Sequence, residues 1–174
     1  MLVIAATERE LEGVRGLVCG VGPVDAAAAT ARALAERRPA AVLHVGLAGA
    51  RSFAEPALVV GSEAVYCDTE HPLIVRRARP DELLLERARS ALPGARVCAI
   101  GTSARVGGTT GCDVEAMEGF AVLRACELAG VPAVEVRAVA NDVAEPDRAR
   151  WRFDDALALL RAELPRLVEA LADA

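Results

Sequence analysis

The chain has 174 residues, with 20 basic and 25 acidic side chains and a formal net charge of -5. All 20 cations are arginines; lysine and glutamine are absent, and Asn141 is the only asparagine. Without a lysine, Schiff-base chemistry, pyridoxal phosphate attachment and a phosphate-loop lysine are excluded, and the acidic balance with no basic arm argues against nucleic acid or an anionic membrane as partner.

In chain order, Leu2 to Ala6 reads as a buried strand, broken by the charged run Thr7-Glu8-Arg9-Glu10. Val14 to Val21 reads as a second strand, ending in Gly20-Val21-Gly22-Pro23, where proline suits the first turn of a helix. Val24 to Arg38 is alanine-rich and helical. Ala41 to Val45 is a strand closed by Gly46-Leu47-Ala48-Gly49, and Leu58 to Tyr66 is another, interrupted at Gly61-Ser62. Asp81 to Leu92 is a helix and Arg96 to Ile100 a strand. Val114 to Ala129 reads as a helix stopped by Gly130 and Pro132, followed by the strand Ala133 to Val139 and a polar loop over Asn141 to Arg148. From Phe153 onward, Leu157, Leu160, Leu164, Leu167, Val168 and Leu171 recur at helical spacing.

Strands alternating with helices predict an α/β fold, with a mostly parallel sheet covered on both faces. No composition break divides the chain, so one domain over 1–174 is expected. No apolar run reaches the ~20 residues of a membrane span, and Met1 to Thr7 lacks a basic leader, which predicts a cytosolic protein. Cys19, Cys67, Cys98, Cys112 and Cys126 are widely spaced, with no CxxC pair and only two histidines, so neither a metal nor a cofactor is expected. Ligands of such sheets sit beyond the carboxyl ends of the strands. Thr7–Glu10, Gly20–Gly22, Gly46–Gly49 and Asn141–Arg148 fall there.

The glycine run at Gly20 has Asp25 where a dinucleotide fingerprint needs its third glycine, so NAD is a poor fit. No serine sits in Gly-x-Ser-x-Gly. Cys67, Asp68 and His71 crowd within five residues, unlike triads assembled from separate elements, and read as a polar loop. Glu10, at a strand end, suits either a general base or an exposed loop glutamate. Glu115 is explained by the dipole of a helix start. Glu118, one turn further, has apolar company and needs partners such as two vicinal sugar hydroxyls; Arg137, inside an apolar strand, needs an anion or a dipole.

The stretches Asp113-Val-Glu-Ala-Met-Glu-Gly-Phe-Ala and Val131-Pro-Ala-Val-Glu-Val-Arg-Ala-Val-Ala-Asn-Asp resemble the C-terminal half of the nucleoside phosphorylase and nucleosidase superfamily. Asn141-Asp-Val-Ala-Glu-Pro-Asp-Arg-Ala-Arg-Trp is similar to the corresponding loop of its futalosine hydrolase family. Ala5-Ala-Thr-Glu-Arg-Glu-Leu, Cys19-Gly-Val-Gly-Pro-Val-Asp and His44-Val-Gly-Leu-Ala-Gly agree in order. The resemblance implies a three-layer fold, a purine nucleoside as substrate, hydrolysis of its N-glycosidic bond, and a homodimer or higher homo-oligomer. It implies that Glu10 activates water, that Met117 packs under the ribose, that Glu118 grips the ribose hydroxyls and that Arg137 orders the site. Leu47, Ala48 and Gly49 would lie against the substrate. Where phosphorylases hold phosphate with arginine and serine, this chain has His44 and Leu47, which implies water as the nucleophile.

Asn141 falls where the resemblance places the reader of purine N7 and the 6-substituent. Nucleosidases acting on 6-amino purines carry aspartate there. An asparagine amide donates to a 6-oxo group while its carbonyl accepts from protonated N7, which implies hypoxanthine as leaving group. Two alternatives are a methylthioadenosine/S-adenosylhomocysteine nucleosidase-like hydrolase, with Asp142 as acid, and a relative that binds nucleosides without catalysis. The chain departs from the family pattern in having eight residues between Glu10 and Cys19, where relatives carry a helix and a hairpin. The stretch Gly101 to Gly111 is also short. Phe53, Tyr66, Phe120, Trp151 and Phe153 are the only aromatics, and no stacking partner for a base stands out.

Overall fold

The computed structural model describes residues 1–51, 56–109 and 111–172; Phe53 lies outside them. Its strands are β1 (Leu2–Ala5), β2 (Gly16–Val18), β3 (Val42–Ala50), β4 (Ala57–Tyr66), β5 (Arg77–Ala78), β6 (Arg96–Thr102), β7 (Val114–Ala116) and β8 (Ala133–Asp142). Between and after them run α1 (Pro23–Glu36), α2 (Glu82–Ala91), α3 (Gly119–Ala129) and α4 (Phe153–Ala172). Local chemistry sets the helix ends. Pro23 opens α1 after Gly22, whose φ of 94° a side chain would resist. Asp81 caps α2 by accepting from the Leu84 N–H at 3.1 Å, and Gly130 closes α3 at φ 64°.

Parallel pairs (β1 with β2 and β3, β3 with β8, β4 with β6, β6 with β7) outnumber antiparallel ones (β3 with β7, β4 with β5 and β8), giving the mixed, mostly parallel sheet expected. The pairings also close a circuit, β3–β8–β4–β6–β7 and back to β3. Strand alternation splits the core. Val134, Val136, Ala138 and Ala140 of β8 pack with Leu84 and Ala88 of α2 and with Leu160, Leu164 and Leu167 of α4. On the other side, Ala26 and Leu34 of α1 meet Val122, Leu123 and Cys126 of α3. Helices therefore cover both faces.

Four readings change. Val114–Ala116 is a strand, not the start of a helix: pairing with β3 and β6 outweighs the weak helical signal of three residues. Consequently Glu115 does not sit at a helix N-terminus, and Glu118 is the N-cap of α3 rather than one turn inside it. Gly46–Gly49 is not a closing turn, because β3 continues through it to Ala50, paired with β8. β8 likewise runs on to Asp142, past the expected end at Val139, with a register shift opposite Ala48 and Gly49. That irregularity leaves Ala140 unpaired with β3 and sets Asn141 opposite Gly49.

Candidate active site

A cavity of about 330 Å³ opens at the carboxyl ends of β1, β3 and β8, the location expected for a ligand in this class of sheet. Seven of the eight nominated residues line it: Glu10, Leu47, Ala48, Gly49, Met117, Glu118 and Asn141. Arg137 is wholly buried beneath them.

Glu10 sits in a 3-10 turn, Glu8–Leu11, directly after β1. It is 6% exposed, so the exposed-loop reading is wrong. One carboxylate oxygen accepts from the Thr7 N–H and the Thr7 hydroxyl, both at 2.8 Å; the other accepts from the Leu47 N–H at 3.0 Å. Thr7-x-x-Glu10 is the spacing of a capping box, a sequence signal that would have found this lock.

Glu118 joins the two helices of one layer. Its Oε1 accepts from the N–H of Gly22, the residue that opens α1, at 3.0 Å, while its own backbone opens α3. The start of α1 thus faces a buried carboxylate, a favourable field for negative charge. Its Oε2 lies 3.4 Å from Nη1 of Arg137.

Arg137 organises the floor. Its Nε donates to Glu135 Oε1 at 2.7 Å, and its Nη1 also reaches the Leu47 carbonyl at 3.4 Å. Its Nη2 meets His44 Nε2. His44 Nδ1 faces the Ile4 carbonyl at 3.1 Å, so Nδ1 carries the proton and Nε2 is a bare acceptor for the guanidinium. Burial, together with the adjacent Arg137 charge, holds His44 well below its usual pKa, which keeps it neutral. Burial raises the pKa of Glu135, against the pull of Arg137. For Arg137 burial acts against the charge, but Glu135 and Glu118 outweigh it and the pKa rises. The guanidinium has room because β3 presents Gly46 opposite it: a Cβ there would run into Nη1 and stand 2.8 Å from Glu10 Oε1. Glu135, which the sequence reading missed, lies two residues before Arg137 on one strand, so alternation puts both on one face.

Asn141 donates to the Asp142 carbonyl at 3.0 Å and lies against Gly49, where a Cβ would come within 3.0 Å of its Nδ2. Asp142 is exposed, and its carboxylate accepts from the Ala144 N–H in its own turn. Glu115 is also buried on the cavity wall. Its Oε2 accepts from Arg51 at 3.1 Å and the Thr109 hydroxyl at 2.8 Å, and its Oε1 from the Gly107 N–H at 2.5 Å. Trp151 and Phe153 line the cavity, with ring centroids 5.4 Å apart; Tyr66 and Phe120 stack on each other elsewhere. Asp68 is engaged by Ser103 at 2.6 Å and the Ala104 N–H at 2.8 Å, which disposes of a Cys67–His71 triad. Among the described residues no cluster suited to a metal ion occurs, and no helix is long and apolar enough to cross a membrane.

Chemically, the cavity joins a fixed carboxylate, a second carboxylate backed by an arginine, and an amide that both donates and accepts. Residues 11–173 match the model of the phosphorylase superfamily. The chain is 35% identical to a futalosine hydrolase of Streptomyces coelicolor over 188 aligned residues, covering 89% of this chain and 78% of that protein. A solved MTA/SAH nucleosidase of Streptococcus pneumoniae superposes with a TM-score of 0.84 at 18% identity, over 98% of this chain and 100% of that one. A futalosine hydrolase mutant of Helicobacter pylori gives 0.82 at 18% identity, over 98% and 97%. The chain belongs to the phosphorylase superfamily and, within it, to the futalosine hydrolase family of N-glycosyl hydrolases.

Proposed function

We propose that the protein hydrolyses futalosine to hypoxanthine and dehypoxanthinyl futalosine, a step of menaquinone biosynthesis, with Glu10, Glu118 and Asn141 acting around one cavity. The observation that carries this reading is the placement of the chain's single asparagine on that cavity, beside Gly49 at the end of β8. Water adds its oxygen to C1′ as the bond from C1′ to purine N9 breaks. Glu10 accepts the proton that this water loses. The departing purine keeps the electron pair at N9 and is neutralised by a proton that N7 takes from solvent; the Asn141 carbonyl accepts the hydrogen bond of the resulting N7–H, and Glu10 returns its proton to solvent to reset the site. Glu118 accepts from the two ribose hydroxyls and stabilises the cationic sugar, while Arg137 keeps that carboxylate aimed. Met117 packs under the ribose, and Leu47, Ala48 and Gly49 let the ligand approach the backbone.

The test is a substrate panel of futalosine, inosine, methylthioadenosine and S-adenosylhomocysteine, with free base separated by chromatography. Hypoxanthine released from futalosine is the expected product; no base from any of the four overturns the reading. Asn141→Asp is expected to move the preference toward 6-amino purines, measured as the ratio of kcat/KM between methylthioadenosine and futalosine. An unchanged ratio removes Asn141 as the reader of the 6-position.

The apolar face between α1 and α3, where Val24 and Leu128 are 78% and 72% exposed, supports a homodimer. Light scattering after gel filtration is expected to give twice the 18.1 kDa of the chain. The chain folds as one domain in this reading.

A further inference from the structure

We propose that Arg105 forms an anion subsite at the cavity rim, taking a carboxylate carried by the nucleoside away from its scissile bond. The proposal deepens the functional reading above and rests on it. Arg105 lines the cavity, and its guanidinium has no hydrogen-bond or ion-pair partner among the described residues. The other charged groups on that wall differ. Glu10, Glu115 and Glu118 are negative and internally engaged, and Arg9 is paired with Asp154 at 2.8 Å. A ligand anion entering this cavity meets three carboxylates and one unengaged cation.

The segment carrying Arg105 is fixed on both sides. Before it, Asp68 holds the Ser103 hydroxyl and the Ala104 N–H, and Ser103 in turn accepts from the Arg105 N–H at 3.3 Å. After it, buried Glu115 holds the Gly107 N–H and the Thr109 hydroxyl. The turn closes through the Gly108 N–H on the Arg105 carbonyl at 3.2 Å, and a Cβ on Gly108 would come within 2.7 Å of Arg105 Cγ. The stem of Arg105 therefore lies along a braced turn, which lowers the entropy lost when the guanidinium is engaged. Val21, Val106, Trp151 and Phe153 supply apolar wall beside it. A planar fork of donors suits a carboxylate geometrically.

Futalosine, whose 5′ arm bears a carboxylate, and its neutral methyl ester differ in the charge at issue and by one methyl group. Binding of both is measured by calorimetry in the Glu10→Gln background, with and without Arg105→Met, and kcat/KM of both is measured with Glu10 present. The expected result is a loss of about 10- to 100-fold in affinity for the acid on Arg105→Met, little change for the ester, and partial recovery with Arg105→Lys. Equal losses for acid and ester put Arg105 on the purine or in the wall and overturn the proposal. So does an acid that binds no better than its ester when Arg105 is present. Binding that discriminates by charge without turnover of either compound upholds the subsite while overturning the hydrolytic reading.

Discussion

Glu10→Gln is expected to lower kcat on futalosine by about 10²- to 10⁴-fold, the range that a positioned base supplies. The carboxylate accepts three hydrogen bonds, two from Thr7 and one from the Leu47 N–H. An amide keeps only one oxygen. Whichever way it turns, an NH2 group faces an N–H, and the orphaned donors cost about 1–3 kcal/mol of stability. Activity and stability must therefore be read separately, with kcat from the rate of hypoxanthine release and stability from urea unfolding. Binding of an uncleavable nucleoside should change little, because the ribose hydroxyls are assigned to Glu118. Turnover at the wild-type rate in a folded variant would remove Glu10 as the base.

Arg137→Met is expected to destabilise the fold by about 3–5 kcal/mol, the cost of leaving a buried carboxylate without its counter-charge. Glu135 and Glu118 both face the guanidinium, at 2.7 and 3.4 Å, and Glu135 Oε2 has no partner even with arginine present. The loss should depend on pH in a definite direction. Burial already raises the Glu135 pKa above 4.5, and removing Arg137 takes away the main pull against that rise. A carboxyl with a raised folded-state pKa holds its proton more tightly folded than unfolded. Its contribution to stability is greatest at low pH and is lost as pH rises through the folded value. The variant should consequently suffer less at a pH of about 5 than at about 8, as urea unfolding at both values will show. The double variant Arg137→Met with Glu135→Leu should recover the share of the loss owed to Glu135, since an apolar pair replaces that buried ion pair at little cost, while Glu118 stays without its counter-charge.

Much of this arrangement is legible in the sequence. Isolated apolar runs marked the strands, and the leucine stripe from Leu157 to Leu171 marked α4 because its period is that of a helix. Glu118 and Arg137 were nominated by a physical argument, that charge in apolar surroundings requires a partner; each turned out to be a partner of the other. Glu115 went astray because an acid ahead of a helical stretch satisfies the dipole rule equally well, and nothing local distinguishes three strand residues from a first helical turn. The same limit hid the true course of β3, where Gly46–Gly49 looks like a turn but is held extended by β8.

The sequence by itself determined the chemistry on offer: arginine as the cation, one asparagine, a glutamate after the first strand, and an α/β order of elements. Those follow from residue type and periodicity, which are local. Only the tertiary structure decided how they meet. Glu10 and Leu47 join across 37 positions, Gly22 and Glu118 across 96, and Arg51 and Glu115 across 64. Such pairings are set by strand register and by the space that Gly46 leaves for a guanidinium, and neither quantity is encoded in any short window of the chain.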